Sequence, residues 1–341
     1  WSSDVCSSDL NIITCTGYGS TGSSVVTDLL SEFEDVNSYG DFEFRFLQDP
    51  HGLRDLEYGL FENNNRLNTG YYIKQFIKYS NFLSSSKVYN YEKYFNNTFK
   101  RLSYEFINDI LDVKWEGYWH QDIIDENLFR KFFYYLERVI QKKIFKQRYS
   151  GAQYYKNIMY YANPTSKKEF YKKCQSYTKT LISSMGIDKR YNFLALDQLV
   201  PPDHNQTYLN YFNDLKIIIV DRDPRDLFLL EKYQYKHKWV PYENVKKFVK
   251  WFRLIREHKK LEVKSKNVLY INFEDFIYNY ENSIDKVIEF IGLDKSSWNK
   301  RREYFNPDIS IKNTKKWLVY PQAKKEIEYI EKELKEFLVE Y

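Results

Sequence analysis

Cysteine is scarce. The 341 residues hold three, Cys6, Cys15 and Cys174. None has the spacing of metal ligands, and three scattered thiols make no disulfide framework. A reduced compartment, the cytoplasm by default, is the expectation. Long apolar runs are missing as well. No stretch approaches the ~20 apolar residues of a membrane-spanning helix, and no secretory signal is visible. Neither sign of charge dominates: 52 basic residues against 47 acidic ones leave a formal +5. With no basic stripe and no interleaving of aromatic and basic residues, nucleic acid is set aside as a partner, while an anionic ligand remains compatible. The first ten residues, WSSDVCSSDL, have no initiator Met and do not match the composition that follows. They read as a non-native leader resembling a translated sequencing adapter, so residues 1–10 are kept out of the fold and 11–341 are taken as one domain.

What is abundant is apolar: 43% of the chain, with 19% aromatic. A substantial core follows, and global disorder is excluded. Four stretches are near-continuously apolar and read as buried strands: 11–16, 191–197, 215–220 and 267–273. A fifth, Asp41 to Leu47 (DFEFRFL), alternates and reads as a half-buried strand with Glu43 and Arg45 on its polar side. Helical patterns lie between them. The fold class expected is α/β, a central parallel sheet flanked by helices. A large helical insertion, about 53–190, interrupts it. There Tyr71–Phe82 and Leu128–Ile144 carry apolar stripes that read as core. In such sheets ligands sit at the carboxyl ends of strands. Four polar clusters fall there: Gly17–Ser24, Asp197–Gln198, Arg222–Asp226 and Glu274–Asp275.

The chain is organised around residues 11–30, NIITCTGYGSTGSSVVTDLL. A strand, a Gly/Ser loop and a helix in that order make an anion site. Glycine lets the backbone approach a ligand, and the helix start points its free N–H groups there. Gly17, Tyr18, Gly19, Ser20, Thr21, Gly22, Ser23 and Ser24 are the candidate binding residues. Framed as G-x-x-x-x-G-K-[ST], both glycines and Ser24 fit, but Ser23 occupies the lysine position. The contact to β- and γ-phosphates of a nucleoside triphosphate is therefore missing. The other reading of the loop is a tight strand-to-helix turn without a ligand. Arg222 and Arg225 follow the strongest strand, in DRDPRD. A guanidinium fork suits phosphate; alternatively these arginines staple the turn to its own aspartates.

With these residues in view, the chain resembles the sulfotransferases that use 3′-phosphoadenosine 5′-phosphosulfate (PAPS), particularly their carbohydrate-directed branch. GYGSTGSSVV matches the loop that holds the 5′-phosphosulfate. IIIVDRDPRDLF matches the strand and turn whose Arg holds the 3′-phosphate. VLYINFEDFIYNYENSIDKVIEFIGL matches a strand–acid–helix segment, and SIKNTKKW a late basic loop that contacts the nucleotide. The resemblance covers 11–50 and 191–320 and leaves the helical middle as the acceptor-specific part. It implies a P-loop-like fold and transfer of SO₃ from PAPS to a hydroxyl of a carbohydrate or polysaccharide acceptor. Adenosine 3′,5′-bisphosphate is left, and no metal is required. It implies Glu43 as the base, with His51 and Asp197 as second choices, whereas His120 and His204 read as loop residues. Two positions depart from the pattern. Ser20 stands where a basic residue meets the sulfuryl group, and Leu230 where a Ser binds the 3′-phosphate. Arg45, Arg225, Lys315 and Lys316 are the expected substitutes. Two other readings stay open: a P-loop kinase or NTPase, and an inactive binding protein on the same fold.

Overall fold

The computed structural model describes residues 10–146 and 156–340. The leader, Leu10 apart, and Cys6 lie outside the described residues. In chain order the strands are β1 (Asn11–Gly17), β2 (Val36–Glu43), β3 (Val113–Gly117), β4 (Asn157–Tyr161), β5 (Phe193–Asp197), β6 (Leu215–Asp221) and β7 (Val268–Asn272). The helices begin with α1 (Ser24–Leu30), α2 (Leu53–Phe61), α3 (Asn68–Ser85), α4 (Tyr91–Tyr94), α5 (Phe99–Ile110), α6 (Leu128–Lys143) and α7 (Lys167–Ser184). They continue with α8 (Asn205–Leu209), α9 (Pro224–Leu230), α10 (Val245–Leu254), α11 (Phe273–Tyr278), α12 (Tyr280–Ile291), α13 (Pro307–Ser310) and α14 (Lys324–Glu333). The chain divides into two compact units, Trp1–Gln48 with Met185–Tyr341, and Asp49–Ser184.

The first unit holds a five-stranded sheet in the order β2-β5-β1-β6-β7, every pair parallel. All of β5, and all of β6 except Lys216, is buried. Strands covered on both faces have no solvent side to alternate with, which is why they read as continuous apolar runs. Val25, Val26, Leu29 and Leu30 of α1 join Phe276, Ile284 and Val287 of α11 and α12 in one core cluster. A second cluster gathers Leu227 and Phe228 of α9, Phe248 and Phe252 of α10, and Ile327 and Ile330 of α14.

The strand expected over 41–47 is displaced. β2 pairs from Val36 to Glu43, with an irregularity between Tyr39 and Glu43. Beyond it Phe44, Phe46 and Leu47 are buried in a segment that has left the ladder. Their apolar character serves packing rather than pairing. The expected helix Val245–Glu262 ends at Leu254 and continues as a separate 3₁₀ turn, Glu257–Leu261.

The second unit, Asp49–Ser184, overlaps the expected insertion at about 53–190. α3, α5 and α7 bury Phe76, Phe106, Phe170 and Tyr177. It also contains an antiparallel pair, β3 with β4, that the helical reading did not include. α6 forms where its period places it, but its stripe is not core. Leu128, Phe129, Phe132 and Phe133 are exposed, and only Tyr134 and Gln141 of the helix are buried.

Candidate functional site

β1 enters the loop between β5 and β6, and the loop is built from left-handed turns. Gly19 has φ 90°, Ser20 φ 52° and Gly22 φ 82°. A Cβ on Gly19 would lie 2.4 Å from the Trp239 ring, and one on Gly22 2.8 Å from Phe273. Both positions therefore require glycine for space as well as for φ. Successive turns of this kind aim backbone N–H groups into one concavity. Among the described residues, no N–H from Gly19 to Ser24 donates to a backbone acceptor. α1 is only seven residues long, so the cradle is the loop's backbone rather than a long helix dipole.

Gln198 pins the loop from the neighbouring strand. Its φ is 53°. Its amide donates to Ser23 Oγ at 3.0 Å, and its Oε1 accepts from Thr16 Oγ1 at 3.2 Å. Ser23, at the lysine position of the triphosphate pattern, is thus tied to Gln198.

The loop lines a cavity of about 800 Å³. Of the loop candidates, Gly17, Tyr18, Gly19, Ser20, Gly22, Ser23 and Ser24 reach it, while Thr21 is buried beneath. Glu43 and Arg45 line the same cavity, 3.7 Å apart. Asp197 lies beside Glu43, its register partner at the ends of β5 and β2. Burial, helped by the Glu43 charge, pushes the Asp197 carboxyl up to about 6, although the Cys15 thiol donates to it at 3.0 Å. Burial and the Asp197 charge in turn push the Cys15 thiol well above its usual range, which makes it a poor nucleophile.

The remaining candidates are placed differently. His51 belongs to the second unit, with φ 71° and its N–H given to Asp55 Oδ2 at 2.7 Å; it is not among the residues lining this cavity. Arg225 is spent on structure: its guanidinium reaches Asp223 at 2.7 Å and Glu331 at 3.0 Å, and lies 3.9 Å over Trp317. Its helix start is also taken, because the Asp223 carboxylate accepts the Arg225 N–H at 2.8 Å. The loop of Lys315 and Lys316 is held by its backbone, through N–H bonds of 3.0 and 2.7 Å to Asp226. Lys316 is buried, with Nζ on the Lys312 carbonyl, and the Lys315 ammonium lies 4.7 Å over Tyr278. Leu230 is buried in the apolar face of α9. Of the four expected substitutes for the missing basic residue, only Arg45 lines the cavity.

Arg222 is different again. It is buried, with Nη2 on the Asn313 carbonyl at 2.6 Å and its guanidinium 4.3 Å over Phe273, the ring that packs on Gly22. Its Nε has no partner among the described residues, and neither has Oε2 of the adjoining Glu274. Burial pushes the Glu274 carboxyl up to about 8 against the pull of Arg222. A buried guanidinium with an unmatched N–H is a group suited to an anion.

Sequence reasoning missed the cavity's far wall: His237, Trp239, Trp251 and Ile255. The signal was present in KYQYKHKWV, where Tyr235, His237 and Trp239 recur every second residue. It was masked by the Tyr-rich background. Asp203, His204 and His258 each bring a ligand atom within 4.8 Å of the others, both imidazoles being exposed. His204 already bonds Asp203 at 3.2 Å. The second unit has a separate cavity of about 510 Å³, where Lys74 pairs with Asp122 at 2.7 Å and Lys78 with Asp125 at 2.9 Å. No helix among the described residues is long and apolar enough to cross a membrane.

Neither a family model nor a curated protein matches the chain. Among solved structures it is similar to the sulfotransferase domain of the Synechococcus PCC 7002 olefin synthase, at 14% identity and a TM-score of 0.38, over 87% of this chain and 76% of that one. It is similar to sulfotransferase STF9 from Mycobacterium avium at 10% identity and 0.34, over 87% and 68%. It is also similar to retinol dehydratase in complex with androsterone and inactive cofactor PAP, at 15% identity and 0.35, over 97% and 82%. At these identities and TM-scores the likenesses carry no assignment of family, substrate or residue roles.

Proposed function

We propose that this protein transfers a sulfuryl group from PAPS to a hydroxyl of a carbohydrate acceptor. One observation carries the reading: a glycine loop at the end of β1, with unspent N–H groups and Ser23 in place of the triphosphate lysine, faces a pair of carboxylates across one cavity. The loop N–H groups hold the 5′-phosphosulfate. Arg222, with its free Nε, takes the 3′-phosphate. As the acceptor oxygen bonds to sulfur, the bond from sulfur to the phosphate oxygen breaks and its electron pair stays on the phosphate. Glu43, with Asp197 beside it, takes the hydroxyl proton. Trp239 and Trp251 supply apolar wall on which a sugar ring can rest.

The test is calorimetric titration without metal using adenosine 3′,5′-bisphosphate, with ATP plus Mg²⁺ in parallel. Micromolar binding of the bisphosphate and no response to ATP support the reading. Preference for ATP–Mg²⁺ overturns it in favour of phosphoryl transfer. Arg222→Lys keeps the charge but loses the fork, and it weakens bisphosphate binding about tenfold or more if the 3′-phosphate sits there. Unchanged affinity in that variant removes Arg222 from the site.

A further inference from the structure

The anion loop lacks a basic residue of its own, yet a histidine is built against it. α9 does not end at Leu230. It runs into one π-helical turn, Glu231–Tyr235, closed by the Lys236 N–H on the Glu231 carbonyl at 2.9 Å. Such turns are rare, and they recur at functional sites. Lys236 then takes φ 59°, which turns the chain back toward the Glu231 side chain. That carboxylate is fully buried and makes two bonds to one residue. It accepts the His237 backbone N–H at 3.0 Å on Oε2 and lies 2.9 Å from His237 Nδ1 on Oε1. The imidazole is stacked between Tyr235 and Trp239, with centroids 5.7 Å away on each side. Trp239 in turn packs on Gly19. The ring is thus fixed against the loop by a clamp, a stack and a glycine contact, and its Nδ1 lies 3.5 Å from Ser20 Oγ. Nε2 has no partner among the described residues, and the residue lines the cavity.

The cavity needs such a group. Its charged lining is Glu43, Asp197 and Asp203 against Arg45, and Arg45 already faces Glu43. A phosphate- or sulfate-type anion on the loop would meet more negative than positive charge. Glu231 is a buried carboxylate whose nearest cationic partner is this imidazole. Its Oε1 holds Nδ1 of the ring, which leaves Nε2 as the ring nitrogen that can face a ligand.

We propose that His237, oriented by Glu231, is the cationic group of the anion loop and occupies the role left open by Ser20. In the sulfuryl-transfer reading, on which this chemical role rests, the imidazolium donates a hydrogen bond to the phosphate oxygen that receives the electron pair of the breaking bond. It keeps its proton, and the acceptor's proton goes to the Glu43–Asp197 pair. Glu231 is a positioning residue, since it acts through His237.

The experiment uses the full chain with ¹³C-labelled histidine imidazoles. The five His signals are assigned by single His→Ala variants and titrated with inorganic sulfate and with adenosine 3′,5′-bisphosphate. The His237 signal moves with either anion. His237→Ala raises the dissociation constant for that anion about tenfold, with the circular dichroism spectrum unchanged because the side chain is half-exposed. His237→Lys restores most of the affinity, which a merely structural histidine would not allow. Once an acceptor is identified, His237→Ala lowers turnover about 10²-fold, the usual effect of removing one donor to a developing negative charge. A response to sulfate with no binding of the bisphosphate keeps the anion role and removes the nucleotide reading. Binding of the bisphosphate with a still His237 signal and unchanged affinity in His237→Ala overturns the role while sparing the reading.

Discussion

At the scale of single residues, the cavity places two carboxylates with different environments side by side. Glu43 is largely exposed on the β2 end, while burial pushes the Asp197 carboxyl up to about 6. The pair takes up the proton fully only when the buried Asp197 is ionised as well, so the rate should rise with pH through about 6 and level off above it. Glu43→Gln is expected to leave bisphosphate affinity intact and lower turnover by ~10²–10⁴. Asp197→Asn is expected to move the inflection out of the region near 6, because it removes the group that titrates there. Pre-steady-state rates over pH 5–8 check both. An inflection that survives in Asp197→Asn and full turnover in Glu43→Gln would place the base elsewhere. The residue types of this site are partly legible: the loop glycines and Asp197 from their positions at strand ends, Glu43 and Arg45 from the polar side of the segment at 41–47. His237 is not, because its role depends on a π-helical turn and a buried acid six residues earlier, and its spacing with Tyr235 and Trp239 is lost among the surrounding tyrosines. Arg225 failed in the opposite way. Its residue type suits phosphate, but Glu331 and Trp317 arrive from far along the chain to occupy it.

At the scale of elements, β1, β5 and β6 were the most legible part, since a strand covered on both faces can only be apolar, whereas β7, expected to be buried as well, buries only Ile271. The boundaries of β2 were not legible, because the Phe42, Phe44 and Phe46 alternation runs on past Glu43, where the ladder ends and Phe46 and Leu47 are buried by packing. α6 shows the limit of periodicity: a stripe fixes the helix, but not whether the stripe is covered. The end of α1 shows how an element can be fixed by a distant loop. Glu32 is fully buried just after it. Oε1 accepts the N–H groups of Tyr304 and Phe305 at 3.2 and 2.9 Å, and Oε2 the Trp298 indole N–H at 2.8 Å. Glu32→Ala strands two buried donors and one part-buried donor and should cost about 3 kcal/mol. Glu32→Gln keeps one acceptor oxygen and should cost about half as much. Urea unfolding separates the two. Equal, small losses would mean that the loop at 298–305 does not depend on this carboxylate.

At the scale of the whole molecule, the buried acids give stability a definite pH dependence. Burial pushes Asp28 and Asp197 up to about 6 and Glu274 up to about 8. A carboxyl whose folded pKa is raised binds its proton more tightly in the native state than in the unfolded chain. Its contribution is therefore complete below the ordinary carboxylate range and lost as pH rises through the folded value. Asp221 runs the other way. Burial raises it, but the Arg256 guanidinium, 2.7 Å away, outweighs burial and holds it below the usual range. Its contribution is present above about pH 4 and lost as the pH falls further. Thermal stability should thus be highest on the acidic side, at roughly pH 4–5, and decline as pH rises, steeply to about 6 and in a shallower second stage from there to about 8. The second stage belongs to Glu274, whose Oε1 accepts the Asp223 N–H at 3.1 Å while Oε2 has no partner. Glu274→Gln replaces the acid with a neutral group that can keep the Asp223 bond. It should match the wild type in melting temperature only at about pH 4, and exceed it by a margin that grows up to about pH 8. A wild-type curve that is flat from pH 6 to 9, or a variant that falls in parallel with it, would mean that Glu274 is ionised in the native protein and paired with Arg222. That outcome would take from Arg222 the free N–H on which its phosphate role depends.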